Sequence, residues 1–251
     1  MANMRLIVDN AWDNAILSAD QEAMPITNTQ GRKGVLREYP WRSTDTTAQA
    51  VGGVFPQADI EGIVISRANF TQAATVTAVL KLSTATVDTI VMVPNGTDTW
   101  VAWIAPTTAD EIEITIDDTA NPAEYLQFVQ CFAGPKVEVN YNYDLGMKFT
   151  KLQDVEHIRT AGQSLRSQGT GLTHKNAKLN FSYIPEVDRL IFVDAMEWRG
   201  QSWPFFVSLL PNTGGRLETD HQFVAKLVSD VSYDLSSQNF WSTPTIEFAE
   251  A

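Results

Sequence analysis

Apolar and polar residues alternate with a period of two through most of the chain. The run 111–116 is the clearest instance, with Ile112, Ile114 and Ile116 on one face and Glu111, Glu113 and Thr115 on the other. That pattern belongs to a strand with one core face and one wet face. Similar runs, rich in Val, Ile, Thr and aromatics, occupy 4–8, 60–70, 74–83, 87–94, 98–106 and 123–132. Turn formers separate them at 69–72, 94–96, Pro106 and Asn121-Pro122. Short strands at this spacing, with no helical period between them, predict a sandwich or jelly roll.

The texture changes at Gly134-Pro135. In 137–143, Val137, Val139, Tyr141 and Tyr143 alternate with Glu138, Asn140 and Asn142, which predicts a long half-exposed strand. Residues 157–178 follow as a Gly/Ser/Thr-rich stretch with no acid, carrying His157, Arg159, Arg166, His174, Lys175 and Lys178. This is expected to be a long loop, either solvated and mobile or, as the preferred reading, docking on an acidic neighbour. A helix is predicted over about 185–199, with Pro185 and Glu186 in its first turn. Val187, Leu190, Ile191 and Trp198 form its apolar stripe and Gly200 stops it. Strands return over 203–211, 221–235 and 240–251. The second of these is apolar on both faces, which is what a subunit interface requires, and the last carries Pro244, an edge or bulge signal. The expected architecture is mainly β: an N-terminal jelly-roll β-sandwich over 1–134, expected to fold alone, and a β-rich (α+β) domain with one packed helix over 135–251.

Charge sharpens the division. The 251 residues carry a net charge of −12. Residues 1–134 hold 7 Lys/Arg against 16 Asp/Glu, a net of −9, while 135–251 hold 11 against 14, a net of −3. So acidic a chain is not expected to bind nucleic acid, which needs a positive face. The single cysteine, Cys131, lies in an apolar run and is expected to be a small buried hydrophobe. No stretch reaches the ~18 apolar residues of a membrane span, and 1–10 lack a secretory apolar run. Synthesis in a reducing cytoplasm, without secretion by a signal peptide, is the expectation.

Catalytic signatures do not stand out. His157, His174 and His221 have no metal-ligand spacing, no Gly-rich phosphate loop links a strand to a helix, and no GxSxG elbow occurs. The acidic pairs Asp110-Glu111 and Asp117-Asp118 sit at strand ends, where solvated charge is the ordinary role. A glycan-active enzyme would need a carboxylate pair assembled only in three dimensions. No enzyme, cofactor or metal is expected.

Two resemblances add to this picture. The stretch "LSADQEAMPITNTQGRKG", then "YPWRSTD", then "IEGIVISRANF" resembles the galactose-binding-like (discoidin-type) jelly roll. The resemblance implies that Trp41 closes the sandwich while Arg42 and Ser43 tie a strand end to nearby loops. Trp41, Arg42, Trp100 and Trp103 are the candidates for a sugar or partner surface; Trp100 and Trp103 fall on opposite faces of one strand. The second half, through "GQSLRSQGTGLTHKNAKLNFSYIPEVDRLIFVDAMEWRGQSWPFFVSLLPN" and "TIEFAEA", resembles distal-tail or baseplate proteins of long-tailed bacteriophages. It implies a virion structural protein at the tail tip, built as a ring of about six copies around tube, hub and fibre proteins. Arg159, Arg166, His174 and Lys175 are then candidate interface cations. The alternative is a soluble carbohydrate-binding module whose partner is a cell-surface glycan.

Overall fold

The computed structural model describes residues 3–31, 39–96, 98–159, 164–199, 201–230, 232–237 and 240–251. The first half runs β1 (Arg5–Ile7), β2 (Ile16–Ala19), β3 (Trp41–Arg42), β4 (Gln49–Ser66), β5 (Thr75–Leu82), β6 (Ala85–Val91), β7 (Val93–Pro94), β8 (Thr99–Asp117), β9 (Gln127–Phe128) and β10 (Gln130–Gly134). The second runs β11 (Lys136–Glu138), β12 (Lys148–Arg159), β13 (Leu165–Pro185), α1 (Glu186–Arg199), β14 (Phe205–Ser208), α2 (Gly215–Asp220), β15 (Gln222–Leu227), β16 (Asp234–Ser237) and β17 (Phe240–Glu250). The molecule is mainly β, as the alternation predicts.

One sheet is ordered β10-β4-β8-β5-β6, with β2 added to β4 and β7 to β8. Its spine is the antiparallel pair β4 and β8, and here the sequence expectation is corrected. The runs 98–106 and 111–117 are one strand, not two. Pro106 falls in a slip of register, between Trp103 (opposite Gly62) and Thr107 (opposite Ile60), where its missing N–H breaks no ladder bond. A second slip lies between Val54 and Ala58. Bulges bend a strand, and the outer and inner stretches of these long strands share one core containing Val51, Phe55, Ile63, Ile65, Trp100, Ile112 and Ile114.

The other sheet is ordered β11-β1-β14-β15-β17-β13-β12, with β16 on β17. Its first strand comes from the far end of the chain. β1 pairs with β11 through Leu6 and Val137, and with β14 through Leu6 and Val207. The expectation that 1–134 forms one unit is therefore corrected at its start: Met4, Leu6 and Val8 lie in the second core. β11 covers only Val137 and Glu138 of the long strand expected over 137–143; beyond them Val139 turns into that core while Tyr141 is exposed. The last strand is interior, paired with β13 on one side and β15 on the other. Pro244 sits in the slip between Thr243 and Ile246, so its bulge signal holds and its edge signal does not.

The faces of α1 also differ from the stripe expected. Asp188, Phe192 and Met196 point into the core at i, i+4 spacing, whereas Val187 and Leu190 are exposed. A carboxylate wins a core position because Asn140 donates to it through both its backbone N–H (2.8 Å) and its side-chain amide. A buried charge fully hydrogen-bonded in this way is tolerated. The side chains of Ile191 and Trp198, and Gly200, lie outside the described residues.

A third core joins the halves. Ile7, Val64, Val101, Phe132, Phe206 and Val224 are buried together, with Trp103 and Ala251 packed on them. Each belongs to a strand whose neighbouring residues face a different core. Ile63 and Ile65 point inward while Val64 points across; Phe205 and Val207 do the same around Phe206, and Phe223 and Ala225 around Val224. The two-faced strand expected to mark a subunit interface is thus covered by this chain's own first half. Burying six such side chains contributes about 1.5–3 kcal/mol each before ordering costs.

Candidate functional site

The Trp-Arg-Ser stretch is structural on its Trp. Trp41 has no exposed surface, its ring lies 5.2 Å from Phe128, and its Nε1 donates to the Gln21 carbonyl at 3.2 Å. A sugar platform needs an open aromatic face, so Trp41 is corrected out of the candidate surface. Trp100 leaves it too, at 2% exposure beside Phe70. Trp103 does point to the opposite face, but that face meets the second half: its ring lies 6.3 Å from Phe206, with the Arg5 guanidinium 5.4 Å from its centre. Ser43 accepts from the Leu126 N–H at 2.8 Å. Arg42 forks onto Gln127 Oε1 (3.2 and 3.0 Å) and lies 4.2 Å over Tyr125.

Gln127 lines a cleft of about 550 Å³ between the two halves. From the first half come Ser66, Arg67, Asp98 and Thr99; from the second, Lys151, Lys175, Thr219, Asp220, Gln222 and Glu250. Arg67 follows β4 directly, with φ 56°, left-handed backbone that costs a non-glycine residue about 1–2 kcal/mol. It reaches Glu250 Oε1 at 3.3 Å and the Ala251 carbonyl. Lys151 pairs with Asp220 at 2.7 Å. Lys175 Nζ donates to the carbonyls of Thr219 (3.1 Å) and Gln222 (2.8 Å), while its backbone N–H donates to Glu250 Oε2 at 2.8 Å. Burial pushes the Lys175 ammonium pKa down; the carboxylates of Glu250, Asp98 and Asp220 oppose the shift. The walls are fixed to each other by Asn95, whose amide meets Gln222 at 3.2 Å and accepts from the Thr219 hydroxyl at 3.0 Å. Sequence reasoning missed this site because its two walls lie far apart in the chain.

The basic stretch 157–178 is the second feature, and it is not a loop. β12 and β13 form an antiparallel hairpin from Lys148↔Lys178 to Arg159↔Leu165, with residues 160–163 outside those described. β17 joins only from Asn176. Beyond that point the hairpin is a two-stranded arm exposing His157, Arg159 and Arg166 beside Leu152 and Ile158. The Gly/Ser/Thr composition looked like a loop because strands without a core face carry no apolar alternation. Four candidate interface cations separate: Arg159 and Arg166 stand on the exposed arm, His174 is half-buried at its base, and Lys175 faces the cleft.

At the base of the arm Lys178 binds Glu247 at 2.7 Å, and Lys151 binds Asp220. These partners, with Asn176 on Glu247 and Arg216 on Asp220, hold both carboxyls below their ordinary range. A depressed folded pKa contributes stability above the unfolded value that is lost as pH falls through the folded one. Local opening at 148–151 and 175–178, read as amide exchange relative to the intrinsic rate at each pH, is therefore expected to rise below about pH 4. The rise stays small, since exposed pairs contribute about 0–1 kcal/mol each.

Among the described residues, no group of three or more His, Cys, Asp or Glu side chains could hold a metal ion, and no helix is long and apolar enough to cross a membrane. Cys131 is buried, and burial raises its thiol pKa well above normal.

No protein-family model matches the chain, and no curated protein matches it. Among solved structures it is similar to the lectin domain of lectinolysin complexed with Lewis B antigen (10% identity, TM-score 0.41, 50% of this chain and 95% of that one). It is also similar to a fucose-binding module from Streptococcus pneumoniae (7%, 0.42, 50% and 94%). A third is a family 32 CBM from C. perfringens NanJ in complex with galactose (13%, 0.38, 52% and 98%). Likenesses at these scores place no functional residue on this chain.

Proposed function

We propose that this chain is a non-enzymatic assembly subunit of a bacteriophage tail tip or baseplate, closing a ring with further copies of itself through the β12–β13 arm. The arm carries the reading. An isolated two-stranded hairpin is marginal in water, and its open edges invite pairing with another chain. This one also exposes Leu152 and Ile158, at 41% and 45%. A second copy supplies what the arm lacks, because its first half is net −9 and the arm presents Arg159 and Arg166. Six copies, seated between tail tube, hub and fibres in the virion, is the form of the proposal.

Reversing Arg159 and Arg166 to Glu is expected to leave the melting curve of the monomer unchanged while abolishing the oligomer in light scattering. Lys175 is left out of that variant, because a carboxylate there would face two backbone carbonyls and Glu250. Raising salt past the point where the Debye length falls below ~8 Å should weaken the same assembly. A wild-type chain that stays monomeric at high concentration, or a reversed variant that assembles normally, defeats the reading.

A carbohydrate-binding module is the second reading. The polar cleft between the halves favours it, with its hydroxyl, amide and paired charged groups. The solved neighbours named for Lewis B antigen, fucose and galactose belong to the same class, but TM-scores below 0.5 leave the weight on the cleft itself.

A further inference from the structure

We infer that the cleft between the halves binds an uncharged, polyhydroxylated ligand, a neutral saccharide, and disfavours acidic ones. The inference rests on the carbohydrate-binding reading and adds to it a site and a ligand class. Its volume, about 550 Å³, suits a small saccharide. Its walls are already held in place by the Asn95 ties and the shared apolar core, so little ordering is needed on binding.

Charge selects the ligand. The lining holds three cations, Arg67, Lys151 and Lys175, and three carboxylates, Asp98, Asp220 and Glu250. Arg67 and Lys151 are committed to Glu250 and Asp220. A phosphate or carboxylate entering the cleft would have to pull a cation from its partner while facing the carboxylate left behind. A hydroxyl does not, since it donates to a carboxylate and accepts from an ammonium at once. Two groups stand ready for such contacts. Lys175 carries three N–H donors, of which two reach backbone carbonyls. Asp98, on the exposed rim, accepts from the Thr99 hydroxyl at 3.1 Å and forms no ion pair among the described residues. Vicinal hydroxyls bridging Lys175 and Asp98 would be held by charge-assisted bonds, the stronger class. Phe223 contributes little stacking surface, being 5% exposed. Recognition therefore runs through hydrogen bonds.

The test uses the full chain on immobilised neutral oligosaccharides and their sialylated counterparts, followed by titration calorimetry with the best neutral glycan. Neutral glycans should be captured in preference to sialylated ones. Asp98→Ala, a rim change expected to leave the melting curve unaltered, should weaken binding at least tenfold; Lys175→Met should do the same and also report on the junction. Preference for sialylated glycans overturns the inference. Binding that survives both substitutions removes the cleft but leaves the carbohydrate reading standing. Absence of binding to every glycan defeats both and leaves arm-driven assembly untouched.

Discussion

Trp41→Ala is expected to destabilise the first sandwich by about 3–5 kcal/mol, the range for removing a large buried aromatic. Nothing of Trp41 is exposed, so the whole ring volume would become cavity. Its indole N–H bond to Gln21 would vanish as well, leaving that carbonyl to find water. The loss is large beside a typical total of 5–15 kcal/mol. It should also spread, because β3 pairs with β9 through Trp41↔Phe128 and Arg42↔Gln127 and is bridged to Met24 on its other side. Phe128 in turn packs edge-on against Phe70 at 6.4 Å. Gln127 lines the cleft, so the variant should loosen that wall before the rest of the sandwich melts. Trp41→Phe keeps most of the packing and should cost less than half as much. Chemical denaturation checks both, and an unchanged midpoint for Trp41→Ala would mean that the ring is not part of the core.

The sequence was legible where one physical demand acts on a residue. Glu111–Ile116 alternates because one face of β8 meets the core and the other meets water, and the structure buries Ile112, Ile114 and Ile116 completely. It was misleading where two demands overlap. Residues 222–227 carry apolar side chains on both faces since one face belongs to the second core and the other to the junction. Sequence pattern shows that a face is covered but not by what. The arm was opaque for the opposite reason: none of its described side chains is fully buried by this chain, so no period marks it as a strand. Asp188 hid the true face of α1, because its burial depends on Asn140, far off in sequence. The cleft was invisible on the same ground, with Arg67 and Lys175 brought together only by the junction. Arg42 lies outside the cleft lining and reaches it only through Gln127, on which its guanidinium forks.

The junction also sets the largest effect expected from the smallest change, Gly134→Ala. Gly134 ends β10 opposite Gly62, and two residues later the chain enters the other sheet at Lys136. A Cβ on Gly134 would lie 1.9 Å from the Asp9 carbonyl oxygen and 3.1 Å from its carbon. Asp9 follows β1, which crosses here on its way out of the second sheet. A side-chain tip could swing aside; a backbone carbonyl cannot move without dragging β1 or β10. Inserting one carbon into a packed core ordinarily costs about 1–3 kcal/mol. With backbone pressed on backbone, the cost is expected at the top of that range or above it. Gly62→Ala is the comparison, since its added carbon meets side-chain atoms of Ile7 and Trp103 at 2.7 Å, and those rings and methyls can shift. Gly134→Ala should therefore unfold at lower denaturant than Gly62→Ala. Its hydrogen exchange should rise first at 5–7, where β1 would be pushed off β11 and β14. A Gly134→Ala chain as stable as wild type, with β1 still protected, would show that the first strand does not pass beside Gly134, and the packing of the two halves derived from that crossing would fall with it.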